Sequence, residues 1–365
     1  MHVRTAPAPA WLILIFLNAL CAAAPRQTTV SISGQSFLIN GKATYAGRTY
    51  NGMKIEGLLL NARLVQATFD DLNPATRALW KYPDGKEFDA DRNTDEFLAA
   101  LPVYRKAGLI SFTINFQGGS PQGYSKEQPW HNSAFESDGS LRPDYLRRIE
   151  KVLDKADELG MCPIVGLFYF GQQYRLKTDE VMLKATDNAT DWLLSKGYTN
   201  VLIEIANETN QANYTSPLLK PNRAHELIER VKNRSKNKFL VSTSFTGGQI
   251  PTDNIAASAD FLLLHGNGIN DPNRIRRMID QTRALKSYHN QPILFNEDDH
   301  FNFEKPDNNF LAALSKGAGW GYFDFRMNGE GFDEGFQSVP VNWQISSARK
   351  RGFFNLLSQI TGENR

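Results

Sequence analysis

Cysteine is almost missing from this chain of 365 residues, which has only Cys21 and Cys162. If Cys21 belongs to an N-terminal leader, no internal disulfide is available. The fold must then be held by its core, which a chain of this length can supply. Cys162 opens an apolar run and reads as a buried structural thiol, not a nucleophile. Histidine is scarce too, at six residues, and barrels that bind metal usually draw several. Neither sign of charge dominates: 41 basic against 39 acidic residues leave a net +2. With no basic block, nothing points to nucleic acid or to a membrane surface. A Gly-rich phosphate loop is absent after the first predicted strand, where Leu60-Asn-Ala-Arg-Leu-Val stands, which disfavours an open dinucleotide-binding sheet.

The long apolar run, Trp11 to Leu20, follows His2 and Arg4 and precedes Cys21-Ala-Ala-Ala24. That is the layout of a secretory signal peptide, and the run is too short to span a bilayer. Cleavage after Ala23 is expected, giving a secreted or periplasmic protein without a membrane anchor. Asn18 and Leu20 sit badly in a lipoprotein motif around Cys21. No linker composition follows, so residues 24–365 are expected to form one domain, with a monomer as the default.

What is present is repetition. Thr28 to Tyr45 alternates and turns at Gly34 and Asn40-Gly41, which predicts an N-terminal β-hairpin over 28–45 covering one end of the domain. From there, short apolar runs alternate with amphipathic stretches. The predicted strands are Ile55–Leu60, Leu109–Asn115, Pro163–Phe168, Val201–Ile205, Phe239–Thr243, Phe261–Leu264, Pro292–Phe295 and Gly319–Phe323. Helices are predicted between them, including Asp95–Gly108 with Pro102 inside, Pro143–Gly160 and Asp187–Lys196, with a short one at Thr252–Ser258. Such alternation is the sequence form of an α/β fold closed as a (β/α)8 TIM barrel. Three long connections, Asn61 to Thr94, Phe116 to Arg142 and Asp324 to Asn342, follow strands and are expected to shape a cleft on the catalytic face.

Two of the strand ends carry the same pair of residues. Asn200-Val-Leu-Ile-Glu-Ile-Ala runs into Asn207-Glu208, and Pro292-Ile-Leu-Phe into Asn296-Glu297. A Glu there is often just a solvated carboxylate. Two of them in matching context, on opposite sides of one barrel, are the equipment for hydrolysing a glycosidic bond. The other strand ends offer Asn61 and Arg63, Asn115 and Gln117, Tyr169 and Gln172, Ser242 and Ser244, His265 and Asn267, and Asp324 and Arg326. Amides with few charges suit a neutral polyol such as a sugar. Trp130 and Trp343 in the long loops could stack on pyranose faces or pin their own loops, and Tyr322 lies at the end of the eighth strand.

Asn207-Glu208 after the fourth strand and Glu297 after the seventh resemble the signature of glycoside hydrolase clan A, whose retaining enzymes include the family 5 cellulases and mannanases. The resemblance implies that Glu208 is the general acid/base, Glu297 the nucleophile and Asn207 the ligand of the sugar 2-hydroxyl. It also implies that His265 supports the nucleophile side, and that a β-linked glycan is cleaved without metal or organic cofactor. Candidate substrate-binding residues are then Asn207, His265, Asn115, Gln117, Trp130, Gln172, Arg63 and Tyr322. The chain departs from cellulase-like members at Asn267, where they carry an aromatic, and at Tyr322-Phe323, where they carry a Trp. Retention requires carboxyl groups about 5–5.5 Å apart.

Two other classes compete. The run Glu297-Asp298-Asp299-His300 could hold a divalent metal and make a metal-dependent hydrolase. A non-catalytic carbohydrate-binding barrel is the other, although it has no need of both Glu208 and Glu297. Asn188, Asn207, Asn213 and Asn233 each begin an Asn-X-Ser/Thr sequon.

Overall fold

A computed structural model describes residues 1–2 and 25–363. The expected signal peptide therefore falls almost wholly outside the described residues. Among those residues no helix is long and apolar enough to cross a membrane.

The eight central strands are β1 Asn61–Arg63, β2 Ser111–Asn115, β3 Ile164–Phe168, β4 Leu202–Ala206, β5 Leu240–Ser242, β6 Leu262–His265, β7 Ile293–Glu297 and β8 Gly321–Tyr322. They pair in parallel in the order β5-β4-β3-β2-β1-β8, with β6 and β7 as a second pair. Isolated bridges Leu294–Gly319 and Asp298–Tyr322 join β7 to β8. At the β5–β6 seam, Asp260 N–H donates to the Val241 carbonyl and its carboxylate accepts from Val241 N–H. The barrel thus closes, as alternation of buried strand and helix demands.

The outer helices are α1 Ala90–Lys106, α2 Pro143–Glu158, α3 Asp179–Ser195, α4 Ala224–Ser235, α5 Asp253–Ser258, α6 Pro272–Arg283, α7 Asn309–Ser315 and α8 Ala348–Thr361. Side-chain caps start several of them: Asp89 accepts from Asp91 and Arg92 N–H, and Ser347 from Lys350 N–H. These caps satisfy backbone donors that have no partner within the helix. Pro102 lies on the exposed face of α1, and the helix runs through it. Gly108, at φ +97°, turns the chain into β2, and a Cβ there would strike Thr361 Oγ1 at 2.2 Å.

The N-terminal segment forms a three-stranded antiparallel sheet, Val30–Ser33, Ser36–Ile39 and Lys42–Ala43. A two-stranded hairpin, Thr49–Tyr50 with Met53–Lys54, follows. Phe37 drives the larger sheet onto the barrel floor, where it clusters with Leu59, Ile110, Cys162, Leu202 and Leu294 from the strands' N-terminal ends. Ile55–Leu60 is buried as expected, but strand pairing begins only at Asn61. That run owes its hydrophobicity to packing at the barrel floor. Helix α3 starts eight residues before the predicted Asp187 because the Thr178 side chain caps Val181 N–H.

Candidate active site

Strand β4 ends where the chain turns sharply. Asn207 N–H still bonds the Phe168 carbonyl on β3 at 3.0 Å, but Glu208 takes the left-handed conformation, φ +54°. A non-glycine residue rarely adopts it without support from its surroundings. The turn throws the Glu208 carboxyl over the barrel mouth. Glu297 is the last residue of β7 and pairs with His265 across a register shift at the end of β6. One oxygen from each carboxyl and the His265 ring nitrogen all lie within 4.8 Å of one another.

Each carboxyl is held by different donors. His265 Nδ1 is 3.0 Å from Glu208 Oε1 and 3.6 Å from Glu297 Oε2. Gln211 Nε2 donates to Glu208 Oε2 at 2.5 Å. Arg63, itself buried, forms an ion pair with Glu297 Oε2 at 3.1 Å, and Asn267 Nδ2 donates to Glu297 Oε1 at 2.7 Å. Burial opposes the charge of the His265 imidazole, yet Glu297 and the hydrogen bond to Glu208 outweigh it and raise the pKa. Burial likewise opposes ionisation of Glu208, and the same hydrogen bond reverses it, so its pKa is lowered. Each group thus favours the charged form of the other. A third carboxyl, Glu204, lies deeper in the barrel, where burial raises its pKa.

These groups form part of a cleft of about 740 Å³. Asn207 lines it, and Arg63 and His265 lie beneath the carboxylates. The His265 hydrogen bond goes to Glu208, so the histidine serves the acid side at least as closely as the nucleophile side. Of the other candidates, Asn115, Gln117, Trp130, Gln172 and Tyr322 do not line the cleft. Asn115 packs over Gly166, its Oδ1 2.3 Å from where a Cβ would stand. Gln117 bonds Ser133 Oγ and Tyr169 N–H, which ties the loop after β2 to β3. Gln172 bonds Asn132 N–H and the Trp130 carbonyl. Trp130 is only 2% exposed and meets Trp80 edge to face at 6.1 Å, so it belongs to the core. Tyr322 points outward and stacks on Phe353 of α8 at 4.5 Å, since strand alternation turns Phe323, not Tyr322, to the cleft. Trp343 packs between Phe97 and Phe336.

The aromatic lining comes from elsewhere. Tyr169 and Phe170, stacked at 4.3 Å, form one part of it, and Tyr124 and Phe323 another. Tyr124 is 56% exposed and its hydroxyl donates to Asp299 at 2.8 Å, bridging the loops after β2 and β7. Of the three long connections, those after β2 and β8 reach the cleft, whereas no residue after β1 lines it. The β1 connection folds instead against the β2 loop: Asp71 accepts from His131 N–H and Trp80 Nε1.

The acidic run after β7 is a hydrogen-bonded hub. Asp298 accepts from Trp320 Nε1 and Asn309 Nδ2, and Asp299 from Gly268 N–H. His300 uses both ring nitrogens, Nδ1 with Asp298 at 2.8 Å and Nε2 with Asn270 Oδ1 at 3.0 Å. An imidazole that donates through both nitrogens has no lone pair for a cation. This arrangement locks the β7 loop to β8.

No known family's sequence profile matches the chain, and no curated protein sequence does either. Solved structures do match over nearly its full length. An endo-1,4-β-mannanase from Rhizomucor miehei superposes with a TM-score of 0.59 at 12% identity, covering 92% of this chain and 100% of that protein. A glycoside hydrolase family 5 protein from Bacteroides vulgatus gives 0.55 at 13% identity, over 90% of this chain and 70% of its own. A putative glycoside hydrolase from the same organism gives 0.55 at 14% identity over 91% of this chain, which spans 61% of that longer protein. The fold of this chain is thus the (β/α)8 barrel that glycoside hydrolases of family 5 use.

Proposed function

We propose that the chain is a retaining β-glycoside hydrolase in which Glu297 is the nucleophile and Glu208 the general acid/base. The observation that carries this reading is the pair of strand-end carboxyls with oxygens within 4.8 Å, in one cleft. An oxygen–oxygen approach this close favours direct attack by a carboxylate, as at the retaining spacing of about 5–5.5 Å, over the about 6.5–9.5 Å of an inverting site. In the first step a Glu297 oxygen bonds to the anomeric carbon as the glycosidic C–O bond breaks, and a proton passes from Glu208 to the leaving oxygen. Water then attacks the anomeric carbon with Glu208 as base, releasing Glu297. Glu208 needs a proton for the first step, and the His265 imidazole, 3.0 Å away, is the neighbouring group that can supply it. Arg63 and Asn267 give each Glu297 oxygen its own cationic or amide neighbour, which fixes the nucleophile's orientation.

Neutral amides and aromatic faces around the pair fit an uncharged β-glycan. Because matched structures include a mannanase, mannans join glucans, xylans and galactans in the panel to be assayed. Glu297→Ala should abolish turnover. Glu208→Ala should slow it by about 100-fold or more, least for leaving groups that need no protonation, with partial rescue by azide. Product anomers followed by NMR should keep the substrate's configuration. Inversion, or full activity of Glu297→Ala, would refute the assignment, and binding without product would favour a carbohydrate-binding barrel. Secretion rests on the N-terminal layout of His2 and Arg4, the apolar run Trp11 to Leu20 and the small residues that end it.

A further inference from the structure

Left-handed Glu208 is held from outside its own strand. Its backbone N–H donates to Ser244 Oγ at 2.9 Å, and the next N–H, of Thr209, donates to the Ser244 carbonyl at 2.8 Å. One residue at the end of β5 therefore grips both peptides that flank Glu208. A serine hydroxyl has one proton, and here it goes to Glu204 Oε1 at 2.5 Å. That fixes the hydroxyl rotor and turns an oxygen lone pair towards Glu208 N–H. Glu204 is fully buried on β4, and Asn296 Nδ2 lies 3.4 Å from its other oxygen. Beyond the grip, Asn210 and Thr246 exchange two bonds, at 2.7 and 2.8 Å, so the turn is laced to the β5 end at several points.

A buried carboxyl without an ion-pair partner is costly to keep in a barrel interior. Here its bond to the Ser244 hydroxyl ties it to a residue that does not line the cleft. We infer that Ser244, with its hydroxyl oriented by Glu204, is a positioning residue that holds Glu208 in the left-handed conformation from which its carboxyl reaches the glycosidic oxygen. This rests on the reading of Glu208 as the general acid. Without the grip, the Glu208 peptide can relax towards an ordinary conformation, and its carboxyl swings off the line of proton transfer. The nucleophile, held by Arg63 on β1 and Asn267 beyond β6, stays in place.

The consequence is a defect confined to acid catalysis. The probes are 2,4-dinitrophenyl and phenyl β-cellobiosides, with the matching β-mannobiosides as a parallel pair. The first leaving group departs without a proton and the second needs one. Read as kcat/KM, which reports the bond-breaking step, Ser244→Ala should lose about tenfold more on the phenyl substrate than on the dinitrophenyl one. That loss is part of the factor of about 10²–10⁴ that a positioned acid supplies. Ser244→Thr, which keeps the oxygen, should recover most of the difference. Melting temperatures of all variants identify any global loss of fold. Equal losses on both substrates would show that Ser244 supports the fold alone and would overturn the inference, as would no loss on either. Glu208→Ala, run alongside, separates the two readings. If it shows no leaving-group dependence, or if the wild type turns over neither pair, the functional assignment itself falls.

Discussion

Trp130 was the residue in the long β2 loop best placed, on sequence grounds, to stack on a sugar, and the structure puts it inside the protein. Trp130→Ala should therefore act on stability. A tryptophan buries about 150–250 Å², and with only 2% exposed nearly all of that is removed from water. At about 25 cal/mol per Å² the burial is worth about 4–6 kcal/mol as an upper bound. Its edge-to-face contact with Trp80 adds about 1 kcal/mol. Partial collapse of the cavity brings the expected loss to about 3–5 kcal/mol, as for other buried aromatic truncations. Urea denaturation should then show a lower midpoint with an unchanged slope. The Michaelis constant should not move, because Trp130 meets the cleft only through the loop it braces: its carbonyl receives bonds from Gln172 and Arg175, and the mutation keeps that carbonyl. A raised Michaelis constant with little change in midpoint would refute this and return Trp130 to the sugar.

His300 gives a pH test. Burial opposes its charge, but hydrogen bonds to Asp298 and Asp299 raise its pKa to about 9. A folded value above the unfolded one, about 6.5, means stability that is complete below about pH 6.5 and lost as pH rises through 9. The stability gap between wild type and His300→Ala should thus narrow from pH 6 to pH 9 in parallel denaturation curves, and a gap that widened would contradict the hub. For the leader, sequencing of exported protein should begin at Ala24, and recovery of intact Trp11 would refute cleavage.

The two carboxylates were legible because each ends an apolar run whose burial follows from composition alone. Position on a strand is a local property, so the strand–helix alternation also came through, although the first strand pairs only beyond the predicted Ile55–Leu60 and one helix starts eight residues early. What a side chain touches beyond its strand is not local. Trp130 is buried because Trp80, fifty residues earlier, folds over it, and Asp71 anchors both loops. Tyr124 reaches Asp299 across 175 residues. No periodicity encodes either meeting. Tyr322 and Phe323 show the finer limit: a one-residue shift in the reading of β8 exchanges the outward ring for the one in the cleft.

The same distinction separates a carboxylate from an acid. Glu208 and Glu297 look alike in sequence, each after an Asn at the end of a strand, and their environments make them different. Glu297 continues its strand, with Arg63 from β1 and Asn267 from beyond β6 at its oxygens. Glu208 leaves its strand in a left-handed turn, with Gln211 and His265 at its oxygens and Ser244 on its backbone. An anion beside a permanent guanidinium cannot draw a proton from that neighbour, whereas an anion beside an imidazolium can. His265 Nδ1 stands 3.0 Å from Glu208 and 3.6 Å from Glu297, so the imidazole lies nearer the β4 carboxyl, and this asymmetry supports the proposed role of Glu208 as the acid.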